Sequence, residues 1–157
     1  DGWLPHNIPF GKLPETYETV AETARDAGRD PNDITVAPYV PCAVSEDPDE
    51  AVAAVRNHLA YYLGSSDGYK NAAALSFADQ ADAVAEAWRS GDRDDARAAV
   101  TDDMLHELAI VGTPSAARDR FDDLPGQDVV DDVIVTIPMG VDDDLRDRTV
   151  EELAPDA

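Results

Sequence analysis

Cysteine occurs once, as Cys42, and lysine only twice, as Lys12 and Lys70. A single cysteine excludes an internal disulfide and fits a reducing compartment. The ten arginines are scattered, so no basic cluster exists on which nucleic acid could bind. No apolar run approaches the roughly 18 residues needed to span a membrane. The start, DGWLPHNIPF, lacks the basic flank and apolar core of a signal peptide. It also lacks an initiator Met, so the expectation is a cytoplasmic chain that begins partway through a longer protein. The three histidines, His6, His58 and His106, are too scattered for a ligand motif, and no metal site is expected.

Aspartate, by contrast, is abundant. Asp and Glu number 34 against 12 Lys and Arg, a formal net charge of −22. The acids run through every segment instead of forming one tail. That distribution points to halophilic adaptation, in which an acidic surface keeps a protein soluble in concentrated salt, more than to a docking surface for a basic partner. With 157 residues, 43% of them hydrophobic, the chain can bury one ordinary core.

The stretch LAIVGTPSAARDRFDDLPGQDVVDDVIVTIPMG, residues 108–140, organises the rest. Thr113 is a suitable N-cap and Pro114 fits the first helical position. Ala117, Phe121 and Leu124 fall on one helical face, and Pro125-Gly126 is the expected stop. Residues 133–137 are a β-branched run with no polar alternation, expected to be a strand covered on both faces in a parallel sheet. A helix feeding such a strand is half of a βαβ unit, so the fold class is α/β.

Elsewhere, a helix is expected from about Pro14 to a stop at Gly28. A second strand is expected over residues 34–39, cut short by Pro38 and Pro41. Asp47, Pro48 and Glu50 signal a helix start, with Val52, Val55, Leu59 and Tyr62 or Leu63 inward and His58 partly exposed. Residues 64–68 read as a flexible loop, and Ser76 with Asp79 as the start of a further helix. Two shorter helices over 93–100 and 102–109 and a polar surface helix over about 143–153 are expected after it. Two strands cannot make a sheet with satisfied edges. A whole (β/α)8 barrel needs about 250 residues, so this length is at most part of one.

DGWLP, AGRDP, ITVAPYV, DEAVAAVRNHLAYYL and LAIVGTPSAARDRF, in that order, resemble the luciferase-like monooxygenase superfamily. Within it the similarity is to coenzyme F420-dependent enzymes of the methylenetetrahydromethanopterin reductase kind, and the Asp-rich composition fits a haloarchaeal member. The resemblance covers nearly the whole chain. It implies the C-terminal part of a single (β/α)8 barrel over residues 1–157, helix-rich with few strands. It implies hydride transfer between F420, or FMN as the alternative, and a small organic substrate, such as a pterin-linked one-carbon carrier. It further implies a homo-oligomeric full-length protein and an inactive fragment.

By that resemblance Trp3 ends a barrel strand and is a cofactor-binding candidate; otherwise it packs a loop onto the barrel rim. Residues 61–77 match the insertion that caps the active site, which makes Tyr69 and Asn71 candidates for substrate binding, with plain loop packing as the competing account. Cys42 reads as a small buried apolar residue, since no histidine near it in sequence could activate a thiolate. No catalytic residue is assigned, because in hydride transfer the cofactor does the chemistry. The rival reading is a stand-alone acidic α/β interaction module without chemistry.

Overall fold

In a computed structural model, residues 1–124 and 127–155 are described. Five short strands appear among them: β1 (Gly2–Trp3), β2 (Thr35–Val36), β3 (Tyr39–Val44), β4 (Ile110–Gly112) and β5 (Ile134–Thr136). Every pairing is parallel, in the order β1-β2 and β4-β3-β5. The chain through β2 and β3 is the spine: an isolated bridge from His6 to Tyr39 carries the β1 register onto β3.

The spine is longer than the 34–39 expected from the sequence, and the reason is where its prolines fall. The amides of Thr35, Ala37 and Tyr39 donate to the carbonyls of Asp1, Trp3 and Pro5, and Ser45 donates on to Gly112. By alternation Pro41 faces that same edge, between the last bond to the N-terminal segment and the first bonds to β4. Its missing N–H therefore costs no ladder bond. β1 and β4 escaped the sequence reading because two or three residues carry no period.

Seven helices are described: α1 (Leu13–Asp26), α2 (Pro48–Ser65), α3 (Asp67–Ser90), α4 (Arg93–Ala98), α5 (Asp102–Leu108), α6 (Pro114–Asp122) and α7 (Asp143–Leu153). The capping signals hold. Asp47 accepts from the Asp49 amide and Thr113 from that of Ala116. Gly28, past the end of α1, has φ 73, a conformation glycine adopts freely. Pro125-Gly126, the expected stop of α6, lies outside the described residues; the helix ends at Asp122.

The expected loop over 64–68 is instead almost all helix, with only Ser66 between α2 and α3. Gly64 allows the two helices to approach: a Cβ there would stand 2.2 Å from Trp88 Cγ. Nor does a separate helix start at Ser76. α3 runs through, kinked at Phe77 (φ −133, ψ 49), and Lys70 pairs with Asp82 across the bend at 2.7 Å.

Helices cover both faces of the spine. Val40, Cys42 and Val44 point to one face, packed with Phe10, Leu13 of α1, Ala117 of α6 and Leu153 of α7. Ala43 points to the other, packed with Ala51, Val55 and Leu59 of α2 and with α3, α4 and α5 beyond. α1 and α6, the crossover helices that lead into β2 and β5, share the first face. In a barrel that face is the outer one, and the face toward α2 is the inner one. β5 is the sheet edge and is half-buried throughout, not covered on both faces as its composition suggested.

Candidate active site

On the inner face, alternation brings Tyr39 and Pro41 of β3 to the same side as Ala43. His6, bridged to Tyr39 through the backbone, lays its ring 4.0 Å from the Tyr39 ring, centroid to centroid. α2 begins just beyond the C-terminal end of β3 and runs back over this face. His58 and Tyr62, four residues apart on α2, share one side of the helix. Their rings stack at 4.5 Å. Tyr69 stands in the first turn of α3, 5.1 Å from Tyr62 and 5.6 Å from His6. The tight α2–α3 junction at Gly64 is what returns Tyr69 to this spot.

Below these rings lies a cavity of ≈ 10 Å³ lined by His6, Asn7, Tyr39, Pro41, His58, Tyr62 and Thr136. Two of the lining side chains are polar and buried: His58 is 5% exposed and Asn7 6%. His58 was expected to be partly exposed, but the spine covers it. Burial, helped by the nearby charge of His6, pushes the His58 imidazole down to about 4, so it is neutral at physiological pH. Burial lowers His6 as well. His58 Nδ1 and Asn7 Nδ2 have no hydrogen-bond partner. Asn7 also holds φ 54, the left-handed region that asparagine tolerates better than most residues. The site thus offers flat aromatic faces, a neutral imidazole and an amide. No lysine or arginine lines it.

Of the residues singled out from the sequence, Tyr69 reaches this group. Asn71, two positions on, is exposed on another side of α3. Trp3 pairs with Val36 and so points to the outer face, where it packs on Tyr17 at 5.8 Å and joins the α1-side core. Cys42 also belongs to the outer face. It is fully buried, its thiol is within 3.2 Å of the Val40 carbonyl, and burial raises it to about 12, so it is no nucleophile. The 61–77 stretch expected as a capping insertion is the end of α2 and the first part of α3. It is helical except at Ser66.

His6, Asn7, Tyr39, His58 and Tyr62 were not picked out from the sequence. The one usable signal was the i, i+4 spacing of His58 and Tyr62. The remaining contacts depend on pairing between residues 6 and 39. A larger cavity of ≈ 620 Å³ opens on the other side of the molecule, between α6, β5 and α7, lined by Phe121, Leu124, Val135 and Leu153 among others. Among the described residues its walls are apolar side chains and two exposed aspartates, Asp131 and Asp132, with no convergent donor set. It is the less suited of the two to chemistry.

Residues 1–129 match the model of the luciferase-like monooxygenase family. The 5,10-methylenetetrahydromethanopterin reductase of Methanopyrus kandleri is 30% identical over 133 residues, 84% of this chain and 37% of that protein. The solved coenzyme F420 dependent tetrahydromethanopterin reductase from the same organism superposes with a TM-score of 0.73 at 25% identity. That superposition covers 97% of this chain and 43% of the other. The chain therefore spans less than half the length of these relatives. Its parallel strands and outer crossover helices are part of a (β/α)8 barrel.

Proposed function

Because the chain belongs to the luciferase-like monooxygenase family, we propose that it serves an oxidoreductase that moves a hydride between coenzyme F420 and a small organic molecule. The substrate class is a reduced pterin carrying a one-carbon unit, a reading supported by the name of the methylenetetrahydromethanopterin reductase. The name of the solved relative, a coenzyme F420 dependent reductase, favours F420 over FMN. Residues 1–157 form one wall of a single barrel domain, α2 to α5 cover its inner face, and activity belongs to the completed barrel.

The observation that carries this reading is the ring group His6–Tyr39–Tyr62–Tyr69 over two buried, unpartnered nitrogens. A neutral, planar, hydrogen-bonding ring fits such a surface; a compact anion does not. F420, when bound, supplies the hydride-accepting or hydride-donating carbon of its deazaflavin ring. The chain's own part is to bind and orient. The faces of Tyr69 and His6 set the plane of a ring, and α2 with α3 shields it from water, which strengthens polar contacts made inside. The uncharged His58 can hold a proton in a hydrogen bond without adding charge to the pocket. Trp3, on the outer face, acts only through the packing of β1 under this proposal.

The test is titration of F420, and separately of FMN, into the completed barrel that contains this chain, followed by fluorescence. Saturable binding of F420, at least about tenfold tighter than FMN (roughly 1.4 kcal/mol), is expected. Tyr69→Ala should weaken it. Equal affinity for the two, or no binding of F420, contradicts the proposal.

A further inference from the structure

Asn7 Nδ2 and His58 Nδ1 are buried without a partner and line the same ≈ 10 Å³ cavity. That is about the room one water-sized atom needs. Folded proteins leave few buried polar groups unpaired, and each instance asks for a reason. A phenylalanine at position 58 would stack on Tyr62 as well as histidine does. At position 7 a left-handed φ of 54 adds backbone strain to an unpaired amide. Two features unfavourable to folding therefore converge on one small space. Another unpaired atom among the described residues, Arg120 Nε, lies elsewhere, on a guanidinium that donates to the His106 carbonyl at 2.6 Å.

We infer that Asn7 and His58 together seat one carbonyl oxygen of an uncharged lactam-bearing heteroaromatic ring, whose plane lies against His6, Tyr39 and Tyr69. The Asn7 amide donates one hydrogen bond to that oxygen. His58, as the neutral tautomer protonated at Nδ1, donates the other. Because the imidazole is uncharged and no cation lines the cavity, the seat suits a carbonyl better than a phosphate or carboxylate. The inference rests on the oxidoreductase reading above. Under that reading two rings carry such a carbonyl, the deazaflavin and the pterin, and experiment separates them.

Two variants remove the donors with little change of shape. Asn7→Gly keeps the left-handed backbone, which glycine adopts freely, and deletes the amide. His58→Phe keeps a ring on Tyr62 and deletes both nitrogens. F420 and tetrahydromethanopterin are titrated separately by calorimetry into the protein and each variant. Each variant should bind the seated ring about tenfold more weakly. The double variant should lose less than the product, since both donors serve one oxygen. The ligand whose affinity falls is the one seated.

A second readout does not depend on turnover. His58→Phe relieves an unpaired nitrogen and should raise Tm by about 2–4 °C. In nitrogen-15 spectra of labelled histidine, the His58 Nδ1 resonance should shift when the seated ligand is added. If both variants bind both ligands as wild type does and the resonance stays put, the seat is overturned while the oxidoreductase reading stands. A wild-type protein that binds neither ligand overturns both.

Discussion

The backbone amide of Val44 donates to the hydroxyl of Thr149 at 3.0 Å, and that hydroxyl donates in turn to the Leu145 carbonyl at 2.7 Å. Both groups are fully buried. Through this one side chain the last helix is fastened to the C-terminal end of β3, next to where α2 departs to cover the inner face. Thr149→Val keeps the shape and removes the acceptor, leaving the Val44 N–H unpaired. Loss of about 1–3 kcal/mol is expected in urea unfolding. Thr149→Ser should lose clearly less. Equal losses from the two would mean that packing, not the hydrogen bond, is what Thr149 supplies.

Gly64 is required by close approach rather than by backbone angle. A Cβ there would meet Trp88 Cγ at 2.2 Å and Cβ at 2.3 Å. Gly64→Ala gains helix propensity of roughly 1 kcal/mol at most, yet must push α3 away. Overpacking costs of about 1–3 kcal/mol are typical and should win. The expected result is a lower midpoint in denaturant, with Tyr69 displaced from His6. A stabilised variant would show that the two helices part easily.

His58 makes stability depend on pH in a defined window. Its folded-state pKa, about 4, lies below the ordinary value of 6.5. Between those values the unfolded chain binds a proton that the folded chain refuses, so stability falls as pH drops from 6.5 towards 4. The full loss is of order 3 kcal/mol. The groups around it include the His6 imidazole, whose charge opposes that of His58, and the Tyr39 and Tyr62 rings. His58→Phe should flatten this part of the acid limb in urea titrations at several pH values. A variant with the wild-type slope would place the sensitivity in other groups.

Salt pits two effects against each other. Ion pairs such as Lys12–Glu15 and Arg146–Asp143 are exposed at the surface and contribute little each, and salt weakens them. Repulsion within a net charge of −22 is also screened, with a Debye length of ~3 Å in molar salt. The second effect is the larger, so Tm should rise as KCl goes from dilute to molar. A Tm that falls with salt would make the ion pairs the dominant electrostatic contribution.

How far the sequence could be read follows from the range of each interaction. Asp47-Pro48, Thr113-Pro114 and Gly28 marked helix ends correctly, because capping acts over three or four residues. The β-branched run at Val133 located β5, and the alternation-free pattern suited a parallel sheet. The family motifs held across residues 1–129. Pro38 does fall in the break between β2 and β3, but Pro41 misled, since whether a proline breaks a strand depends on which edge its nitrogen faces, and only the partners decide that. Tyr69, singled out through the family's insertion, stands beside His6 and Tyr62, whereas His6, Asn7 and His58 were not singled out as site candidates. The cavity joins residues near positions 7, 40, 58 and 136, and no local pattern encodes that meeting. His58 looked partly exposed because its position between Val55 and Leu59 says nothing of the strand lying over it.

The most direct test of the site is to map amide and ring-proton shifts in the protein while F420 is added. The account predicts shifts concentrated at Asn7, Tyr39, His58 and Tyr69, on the face that α2 and α3 cover. Shifts confined to Phe121, Leu124 and Leu153, around the ≈ 620 Å³ groove on the opposite side, would contradict it.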